Sequence, residues 1–370
     1  MPPIYLASIA ILATLCTITP LIKSKKLKTV TRHSCLFLSI LLLSIFYSDR
    51  SIEAGNDTIH YFNAFSHFKN LPLDDLSISG LSYGYISQEK GYSLISFALS
   101  TLTDFSGFLA IVAFLSILTS FIFYNRILKK DATLAFFALL CGVTSTYIYG
   151  GAIRQGLALP IAFIGFSFLA DRKAMAGLAF LLIASLIHSS VLLFIPISIA
   201  ATTLTNKQII KSSRRVFTLF FISFLAFYLL SKYSASLGSF GGIFFQKIAY
   251  YLNYKGDSVG AIALTYPIIF FSVFYFIYDE APKEIQALIL IYGFIFSLQV
   301  LFKDAAEPFY RLGMYRFFIE PILAVFALRF FSKKFSIPYL TTHYPIIALG
   351  IIYCSLYTFT RDEVIYTLGL

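Results

Sequence analysis

Apolar runs of close to twenty residues, separated by short clusters of lysine and arginine, recur along the whole of this 370-residue chain. A helix rises about 1.5 Å per residue, so about 20 apolar residues carry it across the roughly 30 Å hydrocarbon layer of a bilayer. Strands of a membrane barrel would be about half as long and would alternate apolar with polar residues. With 58% hydrophobic and 13% charged residues, the chain has too little polar surface for a soluble domain of ordinary composition. The expected fold is all-α: a polytopic transmembrane helical protein forming a single integral membrane domain over residues 1–370.

Crossings are expected at 3–22, 32–47, 105–124, 132–149, 152–170, 174–187, 189–204, 216–231, 261–278, 285–302, 316–331 and 340–359, about 12 in all. The apolar stretch from Gly91 to Leu102 is too short to cross and follows a long polar segment, so it reads as re-entrant or interfacial. The first run, Ile4 to Ile22, has neither a positive stretch before it nor a small-residue cleavage pattern after it, and is expected to be a retained helix.

Orientation follows from the basic residues. Lys23 to Arg32, Arg126 to Lys130, Arg172 and Lys173, Lys207 to Arg215, Lys283, and Lys333 with Lys334 all fall on one side, the expected cytoplasmic side. The other side receives the outer loops 48–90 and 232–260, the Gly150-Gly151 turn, Arg311 and both termini. Residues 174–204 are long enough for one helix or two short ones. Only a pair broken near His188 keeps the Lys207–Arg215 cluster inside. The formal charge of +11 sits in these loop clusters and not along a solvated stripe, so no nucleic-acid partner is expected. Cys16, Cys35, Cys141 and Cys354 lie inside apolar runs without metal or redox spacing and read as packing residues.

Charge held in a membrane segment costs about 2.5–3.5 kcal/mol on insertion scales, so ionisable residues there call for a partner, a wet cavity or an interface. Gly150-Gly151-Ala152-Ile153-Arg154-Gln155-Gly156 delivers Arg154 and Gln155 into the first turn of an apolar helix. Backbone donors and a guanidinium fork at that point suit an oxyanion or a diphosphate; the alternative is an arginine snorkelling to the interface. His188, between two apolar helices, suits a base, a proton relay or a hydrogen-bond donor to a sugar, or else satisfies backbone groups freed by the break.

Loop 48–90 contains Asp49, Arg50, Glu53, Asp57, His60, Tyr61, His67, Asp74, Asp75 and Glu89-Lys90-Gly91-Tyr92, most of them read as ordinary solvated loop residues. Asp57 and Glu89 stand apart, the first opening an aromatic-rich stretch and the second sitting where the chain returns to the membrane. Asp57, His60 and His67 match no ligand spacing, and no metal is expected. Further on, Arg316 and Glu320 stand four apart and can pair on one helix face, which leaves Arg311 as the freer cation for phosphate; the alternative is a structural ion pair with an interfacial arginine.

Asp57 with Tyr61, Glu89-Lys90-Gly91-Tyr92, Ile153-Arg154-Gln155 followed by Leu157-Ala158, and His188-Ser189-Ser190 occur in an order that resembles the EpsG family, the Wzy-like polysaccharide polymerases of exopolysaccharide and O-antigen pathways. The resemblance covers essentially the whole chain. Ser190 stands where the family is expected to have a smaller residue. The resemblance implies a glycosyltransferase of the bacterial inner membrane that joins undecaprenyl-diphosphate-linked oligosaccharide units at the outer face. It implies membrane lipid around the chain, a chain-length regulator and a flippase as partners, and no cofactor. On that reading Arg154, Gln155 and Arg311 attend the diphosphate, and Tyr61 and Tyr92, with Tyr147 and Tyr149, offer faces to sugars. Glu89, His188 or Asp57 supplies the base. A lipid-linked oligosaccharide flippase or transporter and a membrane O-acyltransferase are the competing readings; the first usually shows repeated halves with paired broken helices, and the second lacks a supporting carboxylate shortly after His188.

Overall fold

The computed structural model describes residues 3–19, 21–54, 57–72, 89–232 and 259–338, together with 346, 347 and 349. Among them every regular element is helical. We number the helices α1 (Pro3–Ile18), α2 (Lys25–Ser48), α3 (Thr58–Lys69), α4 (Lys90–Ser100), α5 (Phe105–Leu128), α6 (Ala132–Cys141) and α7 (Ile153–Ala170). They continue as α8 (Ala174–Ile187), α9 (Val191–Asn206), α10 (Ser213–Lys232), α11 (Ala261–Ile277), α12 (Lys283–Val300) and α13 (Ala306–Lys334).

Among the described residues, six stretches are long and apolar enough to cross a membrane: Lys25–Ser48, Phe105–Cys141, Ile153–Ala170, Ser213–Leu230, Ala261–Glu280 and Lys283–Val300. Three shorter apolar helices, α1, α8 and α9, accompany them, and the chain is a polytopic membrane protein. The expected crossing at 340–359 and most of the outer loop 232–260 lie outside the described residues, as do 73–88 of the loop 48–90.

Local chemistry accounts for the boundaries. Ser24 caps α2 by accepting from the Leu27 N–H, and Asp104 caps α5 by accepting from the Gly107 N–H at 2.8 Å. The stretch Phe105–Cys141 is divided at Lys129, whose φ of 50° ends α5 before a single tight turn leads into α6. The second half stops at Cys141 instead of running on to 149, because Gly142 adopts an extended conformation. A short helical turn and a wide π turn over Tyr147–Gly151 then lead into α7. Residues 174–204 form the broken pair, with His188 in an extended conformation between α8 and α9.

Two expectations change. The segment 48–90, expected as an outer loop, contains the helix α3, and the charged run before 316 is part of one 29-residue helix, α13. The expected stretch Gly91 to Leu102 falls mostly in the 11-residue helix α4, Lys90–Ser100, which spans only about 16 Å.

The packing separates into two compact units, one drawn from the ranges 1–195 and 331–370 and the other from 196–330. In the first, α7 is at the centre. Sixteen of its 18 residues are buried, the pattern of a helix surrounded by others rather than facing lipid or water. It lies against α8 closely enough that a Cβ on Gly165 would come within 2.9 Å of the Gly177 carbonyl oxygen. Helices α1, α2 and α5 pack in succession towards it. In the second unit α10, α11 and α12 pack through aromatic rings, Phe220 standing 4.3 Å from Phe271 between ring centres.

Candidate functional site

Glu89 stands at the amino end of α4 but does not cap it. Its carboxylate reaches across to α7 and to the break between α8 and α9. Oε1 lies 2.7 Å from His188 Nδ1 and accepts from the Ser189 N–H at 3.1 Å and the Ser189 hydroxyl at 3.3 Å. Oε2 accepts from the Arg154 guanidinium. Glu89, Arg154 and His188 are 4%, 6% and 9% exposed, so three polar residues share one interior site and meet on the Glu89 carboxylate.

Each is placed by a local feature. The His188 N–H closes α8 on the Ala184 carbonyl, and the His188 carbonyl accepts from Val191 at the start of α9. The Ser189 N–H, left over at the helix start, is the one that Glu89 takes up. Arg154 is the second residue of α7. Gly156 lets that helix begin where it does, because a Cβ there would fall 1.9 Å from the Ile148 carbonyl oxygen. Gly91 does the same for α4, since its Cβ would meet the Leu186 backbone at 2.9 Å.

Aromatic residues wall the cluster. The Arg154 guanidinium lies 5.6 Å from the ring centre of Tyr61, Tyr61 stands 6.0 Å from Tyr92, and Tyr92 meets Phe108 edge-on at 6.3 Å. The Tyr61 hydroxyl points to Asp57 Oδ2 at a long 3.4 Å. Burial by itself would raise the Glu89 carboxyl, but the hydrogen bond and charge of His188, the Arg154 guanidinium and the Ser189 N–H together lower it to about 2. Glu89 is therefore a carboxylate at any ordinary pH.

Of the residues expected from sequence, Glu89, His188, Arg154, Tyr61, Tyr92 and Asp57 are brought together, with Gln155 buried next in the chain to Arg154. Tyr149 is a core residue instead, its hydroxyl bonded to Ser120 at 2.8 Å. Arg311 belongs to the second unit, where it pairs with Glu307 at 2.8 Å on the same helix. The second unit also contains the expected Arg316–Glu320 pair. Arg316 is 1% exposed and donates to Glu320, to the Tyr292 hydroxyl at 3.0 Å and to Gln299 Oε1 at 3.1 Å. Tyr292 and Tyr266 donate in turn to Glu320.

Arg50 is the residue that reading the sequence passed over. Taken as solvated loop, it instead has all three side-chain nitrogens withdrawn from solvent, with no hydrogen-bond partner among the described residues. Burial pushes its guanidinium down to about 10 against the opposing influence of Tyr61, Tyr92 and Asp57. The available signal was its position: a lone arginine seven residues before Asp57, on the side where basic residues are scarce.

A model of the EpsG family matches residues 33–367. Over 146 residues the chain is 31% identical to the EPS I polysaccharide export inner membrane protein EpsF of Ralstonia nicotianae (strain ATCC BAA-1114 / GMI1000), a match covering 38% of this chain and 34% of that protein. The protein of the same name from Ralstonia solanacearum is 30% identical over the same length, with the same coverage. The chain thus spans about a third of the length of the curated relatives it matches. No solved structure matches.

Proposed function

This chain belongs to the EpsG family, and we propose that it is a polysaccharide polymerase-like glycosyltransferase that joins undecaprenyl-diphosphate-linked oligosaccharide units at the outer face of the inner membrane. It is an inner-membrane protein crossing the bilayer about 12 times, with the Glu89 cluster towards the outer side and α4 re-entrant. A flippase supplies its substrate and a chain-length regulator acts with it.

The observation that carries this reading is the buried Glu89 carboxylate held between His188 and Arg154. The Arg154 guanidinium and the Ser189 N–H hold Glu89 as an anion whatever the charge on His188, and a carboxylate so lowered is a poor proton acceptor near neutrality. Glu89 is therefore the anchor and His188 the base. With the Nδ1–H donated to Glu89, the Nε2 lone pair is left to take the proton of an acceptor sugar hydroxyl, as in a carboxylate–histidine pair of a hydrolase. The hydroxyl oxygen forms a bond to the anomeric carbon, the bond from that carbon to the diphosphate breaks, and the proton goes to His188. Undecaprenyl diphosphate departs as an anion, stabilised by the positive charge of Arg154. Tyr61 and Tyr92 offer ring faces for sugars, and Asp57 faces the same group through Tyr61.

The test is to supply the purified full chain with lipid-linked repeat units and to look for products of increasing length. Ladders that disappear with His188→Ala are expected; a wild-type protein that leaves the units single would end the proposal. The relatives are named for export, which favours translocation as the second reading. A parallel measurement of lipid-linked unit movement across proteoliposomes separates the two.

A further inference from the structure

Arg50 takes no part in the chemistry above. It lies just beyond the end of α2 at Ser48, and Nε, Nη1 and Nη2 are all out of solvent without a hydrogen-bond partner among the described residues. A guanidinium carries five N–H donors, and a buried one left unbonded is costly. The buried arginines 154 and 316 are each bonded to a carboxylate. Tyr61 and Tyr92, the two rings beside Arg154, and the Asp57 carboxylate all lie within electrostatic reach of Arg50. It also lines an open cavity of about 450 Å³ whose wall includes the cation of Lys69, the carboxylate of Asp49, and Ser66, Phe62 and Phe105. Asp104 shares that wall, but its carboxylate is committed to the cap of α5. A guanidinium with no hydrogen-bond partner among the described residues, whose charge Asp57 offsets without a hydrogen bond, stands beside space that reaches solvent and is suited to an anion that comes and goes.

We propose that Arg50 is the residue that binds the phosphoanion of the lipid-linked donor, its fork taking diphosphate oxygens while Arg154 remains with Glu89. This rests on the glycosyltransferase reading of the same site. The phosphoryl group belongs to undecaprenyl diphosphate and not to the headgroup of a bulk phospholipid, and the two sources are separable by experiment.

The full chain in phosphatidylcholine nanodiscs is titrated with radiolabelled undecaprenyl diphosphate, and separately with undecaprenol, which has no phosphate. Arg50→Gln is expected to weaken undecaprenyl diphosphate binding tenfold or more, Arg50→Lys to retain most of it, and neither to alter undecaprenol binding. Phosphatidylglycerol in the nanodiscs is expected not to compete. Without ligand, Arg50→Gln is expected to unfold at the wild-type temperature or above, because it removes a buried charge that has no hydrogen-bond partner among the described residues. Wild-type affinity in Arg50→Gln, equal competition by phosphatidylglycerol, or a lowered unfolding temperature with binding lost equally in Arg50→Lys would overturn the proposal. If binding depends on Arg50 but repeat units are never joined, the polymerase reading fails and the anion site stands. If units are joined and Arg50→Gln binds and extends like wild type, the reading stands and the anion site fails.

Discussion

His188 Nδ1 and Glu89 Oε1, 99 residues apart in the chain, stand 2.7 Å apart inside the fold. A histidine fixed through Nδ1 has its other nitrogen aimed, and aim is what a general base needs. Replacing His188 with alanine is expected to slow chain extension by about 10²–10⁴-fold, the usual contribution of a positioned base. Extension rates of purified protein on lipid-linked units check this; a rate within threefold of wild type would remove the histidine from the mechanism.

Acid should loosen the same site. Glu89 titrates at about 2 in the folded protein and near 4.3, roughly, in an unfolded chain. A carboxyl lowered by folding contributes stability that is complete above its unfolded value and is lost as the pH falls through its folded value. Thermal unfolding in detergent should therefore show a component that declines between about pH 4.5 and pH 2. That component should be missing from Glu89→Gln, and an unchanged decline in the variant would assign it to other groups.

Helices α4 and α8 meet at Gly91, where an added methyl would come within 2.9 Å of Leu186 carbon and oxygen atoms. Gly91→Ala is expected to cost about 1–3 kcal/mol through overpacking and to slow extension as well, because the separated helices carry Glu89 and His188. Gly260→Ala is the control, since a Cβ at Gly260 meets nothing within 4 Å. Equal unfolding temperatures for the two variants would show that the contact is slack.

In the second unit, Arg316 and Glu320 form a buried pair supported by Tyr292 and Gln299. Arg316→Met alone strands the Glu320 charge and is expected to destabilise by about 3–5 kcal/mol. Arg316→Met with Glu320→Leu removes both charges and is expected to recover most of that loss. Unfolding of the two single variants and the double completes the cycle, and purely additive losses would mean that the pair is not coupled.

The long crossings were legible because apolar length is a local property, readable wherever the chain leaves lipid at a basic cluster. The helix α3 was not read, although Tyr61, Ala64, Phe65 and Phe68, its buried residues, follow helical spacing. Polar residues between them made the segment look like loop. The members of the site stood out as ionisable residues in apolar surroundings, but which carboxylate meets which cation depends on how α4, α7 and α8 pack. No local pattern encodes that for partners 65 and 99 residues apart. Arg50 escaped for the same reason: an arginine in solvent and one folded inward are identical in sequence.

The close bonding of Glu89 to Arg154 and His188 also sets an order of assembly. A nascent chain grows by about 5–20 residues per second, so Glu89 is made about 3–13 s before Arg154 and about 5–20 s before His188. Through that interval its carboxylate has neither partner and has every reason to remain in water. The short helix α4 can settle against its neighbours only after α7 and the turn at Ser189 have followed it out of the ribosome, which makes this site one of the last places to close within residues 1–195 of the first unit.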